Sequence, residues 1–175
     1  MLMKLFKTSL LLSILAVSFD ASAAERLYLQ TPVQFAPGTF APQAVRNQCE
    51  LERHLVDDVS TRVNKHYGRV ELATSSDDVG NDKVIKITIT NAWGAGGGGW
   101  SGPKSLEVLA ELTQGGSRLS SASFRRSTMG LGGIFSGTCP MFHKVTKELG
   151  ADVADWLKDG APSKGAPVEE QKPAE

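Results

Sequence analysis

The chain is poor in the groups from which active sites are commonly built. Its 175 residues include 3 His, 2 Cys and 2 Tyr, and aromatic side chains make up 7%. No Gly-x-Ser-x-Gly elbow occurs, so the nucleophile turn of the α/β hydrolases is missing. Charge of one sign is missing too, since Lys+Arg 19 balance Asp+Glu 19. A neutral chain has no electrostatic basis for binding DNA, RNA or an anionic membrane. No nucleotide or other cofactor is implied. The segment Gly99-Trp100-Ser101-Gly102-Pro103-Lys104-Ser105 echoes a phosphate-binding loop, but Pro103 separates glycine from lysine. A strand pattern also follows where a helix N-terminus is needed.

The one marked apolar run lies at the N-terminus. Lys4 and Lys7 give a basic start, and Leu10, Leu11, Leu12, Ile14, Leu15 and Val17 carry the hydrophobicity of residues 8–19. Ala21-Ser22-Ala23 then supplies small residues. Basic, apolar, small is the order of a cleavable signal peptide. The run is shorter than the roughly 20 residues of a spanning helix. Residues 1–23 are therefore expected to be removed on export across the inner membrane of a bacterium-like cell. No cysteine lies near the cleavage point, which argues against a lipid anchor. Removal takes two basic residues and one acidic one from the balanced total and leaves the mature chain near neutral. No transmembrane segment is expected after cleavage, and the mature protein is expected in the periplasm or outside the cell.

Export changes the meaning of Cys49 and Cys139. An even pair in an oxidising compartment usually forms a disulfide. A metal site is the alternative, because His143 follows Cys139 by four residues and His54 follows Cys49 by five. The second spacing matches a helix face poorly, and the disulfide is the expectation; no metal site is.

Residues 24–160 are expected to form one domain, with a disordered Pro-, Lys- and Glu-rich tail at 161–175. A loose first strand, Leu27 to Phe35, leads into a Pro/Gly loop over Ala36 to Gln48. Asn47 is placed to cap a helix from Cys49 to Tyr67, whose apolar stripe is Leu51, Leu55, Val59 and Val63. Gly68 is expected to stop it. A short strand, Arg69 to Thr74, precedes the strongest strand pattern, Lys83 to Trp93. There Ile85, Ile87, Ile89 and Trp93 are expected on one face. Ser105 to Thr113 alternates with Leu106, Val108, Ala110 and Leu112 inward. A Gln114-Gly115-Gly116-Ser117 turn leads to Leu119–Arg126. The closing helix begins near Thr138, with Pro140 in its first turn and Phe142, Val145, Leu149, Val153 and Trp156 as its stripe. The expected fold is α+β, with an antiparallel sheet of four to five strands and two amphipathic helices on one face, in the order β-α-β-β-β-β-α. Both cysteines begin helices, so a disulfide would hold the helices side by side in parallel.

The Cys49–Tyr67 helix, the Ile85–Ile89 and Leu106–Leu112 strands and the closing Val153-Ala154-Asp155-Trp156-Leu157 segment carry a resemblance of topology. In that order of elements the chain resembles the periplasmic fold shared by three groups: the curli-secretion lipoprotein, the penicillin-binding-protein activator lipoproteins and the N-terminal domain of the Tol translocation protein. The lipoproteins carry an anchoring cysteine that this chain lacks, and no pore-forming hairpin is evident. The resemblance implies a non-catalytic role in envelope assembly or protein binding. It brings no partner or residue role with it.

The candidate contact residues lie in two glycine-rich loops. Trp93 and Trp100 bracket residues 94–99, and Met129, Leu131, Ile134 and Phe135 lie within 127–137. Glycine orders at an entropic cost and brings no side chain, so apolar anchors among glycines suit a surface that orders on meeting a partner. Strand order puts both loops at one end of the meander. The function expected is that of an exported envelope-assembly or binding protein without catalytic activity, contacting an envelope protein or a glycan. The alternatives are a secreted hydrolase using a loop serine, Ser101 or Ser136, and an exported enzyme inhibitor. His54, His66 and His143 all fall on the expected helices, away from those serines. Asp77-Asp78 reads as a solvated turn.

Overall fold

A computed structural model describes residues 26–75, 79–94, 102–128 and 137–161. The expected signal peptide lies outside the described residues, as do Asp77-Asp78, Trp100, Ser101, residues 129–136 and the tail from 162. The elements in chain order are β1 (Leu27–Gln30), β2 (Gln34–Phe35), α1 (Gln43–Gln48), α2 (Leu51–Tyr67), β3 (Val70–Ala73), β4 (Lys83–Trp93), β5 (Ser105–Gln114), β6 (Ser117–Ser127) and α3 (Thr138–Lys158). Among the described residues no helix is long and apolar enough to cross a membrane.

The fold is α+β, but the sheet is mixed and has six strands, not four or five antiparallel ones. Its order is β3-β1-β4-β5-β6, with β2 also on β4. β1 runs parallel to both β3 and β4. The reason is the crossover: α2 carries the chain back along the sheet, so β3 re-enters in the direction of β1. The tight turn at Gly115-Gly116, both with positive φ, joins β5 to β6, and β4-β5-β6 form the antiparallel meander.

One expected strand is two. β1 pairs with β4 through Leu29↔Ile85, and β2 resumes at Gln34↔Thr88. Pro32, which follows a cis peptide bond, interrupts them. The Pro/Gly loop after β2 contains a third helix, α1, which begins as Pro42 O accepts from Val45 N (2.9 Å) and Arg46 N (3.1 Å). Val45 is its buried residue. The Arg46 guanidinium lies 4.2 Å from the Phe35 ring centre and donates to Thr39 O at 2.6 Å, tying this segment to the sheet.

The helical stripes fall where the spacing puts them. Leu51, Leu55, Val59 and Val63 are buried along α2, and Phe142, Val145, Leu149, Val153 and Trp156 along α3. They close over Leu29, Ile85, Ile87, Ile89, Leu106, Val108 and Ala110. Gly68 ends α2 with φ 79°. Asn47, the expected cap, is instead inside α1, and the α2 cap position is Glu50 in the left-handed conformation (φ 45°).

Cys49 and Cys139 form a disulfide with Cα atoms 4.9 Å apart. Further along both helices, a Cβ on Gly150 would lie 2.9 Å from the carbonyl carbon and oxygen of Asp58. The two points sit nine residues along α2 and eleven along α3, so the helices run side by side and parallel. At the far edge, Arg126 of β6 holds Asp152 of α3 through both carboxylate oxygens, at 2.7 and 2.5 Å.

Candidate functional site

The end of the meander that carries the two glycine-rich loops is built by register. Trp93 stands opposite Ser105, and Ser105 opposite Ser127. β4 therefore enters its loop, β5 leaves it, and β6 enters the second loop in one row across the sheet. The loop residues Trp100, Met129, Leu131, Ile134 and Phe135 lie outside the described residues. Their anchoring points are described, and they are adjacent.

Trp93 is not where alternation put it. The ladder slips between Ile89 and Asn91, so Ile89 pairs with Val108 and Asn91 with Glu107. A bulge adds one residue and reverses the faces beyond it. Ala92 then takes the core position, fully buried, and Trp93 is 48% exposed. The bulge thus places a large indole in solvent at the strand's end, where the sequence pattern had it closing the core.

Phe40 joins it there. Ala92 N donates to Phe40 O at 3.0 Å, which fixes the chain before α1 against the end of β4. The Phe40 side chain is 63% exposed, the most of any large apolar group among the described residues. It gave no signal in the sequence, because it stands in a loop without periodicity. Its only trace there is an aromatic residue among Pro37, Gly38, Thr39, Ala41 and Pro42, with no strand or helix to bury it.

Lys104 closes the base of this end. It is completely buried, and its Nζ donates to Gly102 O at 2.9 Å. Its aliphatic stem lies against the backbone of Gly94, where an added Cβ would clash with the Lys104 Cδ. Only glycine fits there, with φ 156°. Burial pushes the Lys104 ammonium below its usual pKa. Thr128 secures the other strand: its N–H donates to Lys104 O at 2.8 Å, and its hydroxyl accepts from Lys104 N at 3.0 Å. Lys104 thus joins the stems of both loops through its stem, its head group and its backbone.

The histidine corner lies at the N-terminal ends of α2 and α3. The His54 and His143 rings are 3.6 Å apart, and His143 Nε2 donates to Cys49 O at 3.2 Å. Burial, then the nearby His143 and Arg53, push the His54 pKa down. The cysteines are bonded to each other, so they do not act as metal ligands. Among the described residues no cluster of three or more His, Cys, Asp or Glu could hold a metal. The two candidate hydrolase serines, Ser101 and Ser136, lie outside the described residues; of the serines flanking them, Ser105 is buried in the sheet and Ser127 exposed at its edge.

The sequence matches no protein-family model and no curated protein. Solved structures share its fold. A putative neuraminyllactose-binding hemagglutinin homolog from Helicobacter pylori aligns with a TM-score of 0.50 at 8% identity, over 79% of this chain and 86% of that one. A DUF330 protein from Xanthomonas campestris aligns at 0.48 and 13% identity, over 76% and 83%. A lipoprotein from Neisseria meningitidis aligns at 0.43 and 13%, over 75% and 99%. At such identities the likeness is one of fold alone. It does not single out the curli-secretion, penicillin-binding-protein activator or Tol proteins.

Proposed function

We propose that the protein is an exported, non-catalytic binding or assembly protein of the bacterial envelope, and that it takes its partner at the loop-bearing end of β4, β5 and β6. The observation that carries this reading is the exposure of both Phe40 and Trp93, whose backbone segments meet at one strand end through the Ala92–Phe40 hydrogen bond. Scattered apolar residues on a surface need no explanation, but aromatic groups gathered at one end do. Aromatic side chains also dominate contact energetics when they are buried by a partner. The strand ends that flank the two glycine-rich loops lie in the same row, and the sequence of those loops offers Trp100, Leu131, Ile134 and Phe135 as further anchors. A protein partner fits this surface best, because apolar anchors outnumber the polar groups a glycan needs.

The reading is tested by photo-crosslinking in living cells. A photoreactive amino acid replaces Phe40, Trp93 or, as the control, Leu119. Leu119 is about as exposed as Trp93, at 50%, but sits near the opposite end of the sheet. Adducts of one mass from positions 40 and 93 and none from 119 are expected. Adducts from 119 alone, or from none of the three, would overturn the reading.

A further inference from the structure

The break between β1 and β2 opens a cleft of about 150 Å³. Gln30, Pro32, Gln34 and Phe35 line one side, and Lys86, Ile87 and Thr88 of β4 the other. The ladder steps over Lys86 and Ile87, since β1 stops pairing at Ile85 and β2 starts at Thr88. Successive residues of a strand offer their peptide groups to opposite sides. Lys83 N donates to Arg26 O at 3.3 Å, and Ile89 O accepts from Ala36 N at 2.8 Å. Ile87 lies between them in the same phase, so its peptide groups are turned towards the break.

The lining is rich in donors and has no acid. Gln30 and Gln34 bring amides, Thr88 a hydroxyl and Lys86 an ammonium, and no carboxylate lines the cleft. The cross-strand neighbour of Lys86 is Glu111. That carboxylate is engaged by Arg118 at 3.2 Å. Lys86 forms no ion pair among the described residues. The volume is below the roughly 300–1,000 Å³ of sites for drug-sized molecules. It suits one residue-sized group, with Pro32 and Phe35 as an apolar wall.

We propose that this cleft binds a single carboxylate carried on a residue-sized stem, with Lys86 as its charge partner and the Gln30 and Gln34 amides as hydrogen-bond donors. The site is on the sheet at mid-strand and is separate from the loop-bearing end. A charge-assisted hydrogen bond is the strongest contact available in it. The ligand is an amino-acid derivative or a sugar acid, which share this chemistry.

The test is an NMR titration of the uniformly labelled mature chain. The probes are N-acetylglycine and glucuronate, with N-acetylglycinamide and glucose as uncharged counterparts. Saturable shifts of the Ile87 and Thr88 amides are expected with at least one carboxylate and not with its counterpart. A response to N-acetylglycine alone assigns an amino-acid ligand, one to glucuronate alone a sugar acid, and one to both a site for carboxylates generally. Lys86→Met is expected to weaken binding by about tenfold or more. Lys86 is exposed, so the variant should keep its melting temperature; Gln34→Ala gives a second, uncharged reading of the same loss. No saturable shift with either carboxylate, equal shifts with the uncharged probes, or unchanged binding by Lys86→Met overturns the proposal.

Discussion

Replacing Cys49 and Cys139 together by alanine is the perturbation whose size follows most directly from the structure. The bridge joins residues 90 apart in sequence. Closing a loop of that length removes chain entropy from the unfolded state worth about 4–5 kcal/mol at 25 °C. Two features argue that the native state itself survives. The helices have their own interface, where Gly150 lies against Asp58, and Leu55, Val59, Leu149 and Val153 are buried in the core they share with the sheet. His143 also holds the Cys49 carbonyl, a bond that does not need the sulfurs. The double variant should therefore fold, with stability lower by about 4 kcal/mol. For a domain of this size each kcal/mol moves the melting temperature by roughly 3–4 °C, so a fall of about 15 °C is expected. Urea unfolding followed by fluorescence and circular dichroism gives the free energy directly. A loss under about 1 kcal/mol would show that the unfolded chain is already compact enough to hold these ends together, and would refute the entropic reasoning. A smaller slope with denaturant, rather than a shifted midpoint, would show the same thing.

Two further outcomes concern the packing of α3. Gly150→Ala places a methyl 2.9 Å from backbone atoms of α2 that cannot rotate away; overpacking of about 1–3 kcal/mol should outweigh the roughly 1 kcal/mol of helix propensity gained, and an increase in stability by thermal melting would contradict the close approach. Deleting residues 162–175 should leave the melting temperature unchanged, whereas also deleting Ala161, which is buried and donates its N–H to Trp156 O at 2.8 Å, should lower it measurably. Equal effects from the two deletions would show that the Ala161 cap contributes nothing.

The helical layer was legible in the sequence because its signal is periodic and its cause is local. Leu51, Leu55, Val59 and Val63 repeat at the helical spacing, and that spacing alone says they share a face. The inward set of β5 was legible for the same reason at period two. The direction of β1 was not, because strand patterning is identical in parallel and antiparallel pairs. Only the crossover geometry of α2 distinguishes them. The short helix α1 was hidden by Pro37, Gly38 and Pro42, which mark a loop correctly but do not exclude one turn and a half after it. The burial of Ala161 was hidden for a similar reason: it is apolar but alone, and a single buried residue has no period.

At the candidate site, legibility ended at the bulge between Ile89 and Asn91. Alternation carried through that point assigns Trp93 to the core, and the assignment fails by one residue because β4 carries one more residue than β5 there. The same one-residue slip explains why the strand's end is usable as a surface. With Ala92 inward, the core is closed by a small side chain, and Leu106 opposite it fills the layer. The indole is then available to solvent, where a straight strand would have buried it. The buried Lys104 fits the same logic. An ammonium costs free energy to bury, and here it holds the base of one loop through Gly102 while its backbone bonds Thr128 at the start of the other. A connection that only needed to link two strands would gain nothing from a buried lysine and a glycine that no other residue can replace. A surface that must present two loops from one fixed base would gain a great deal.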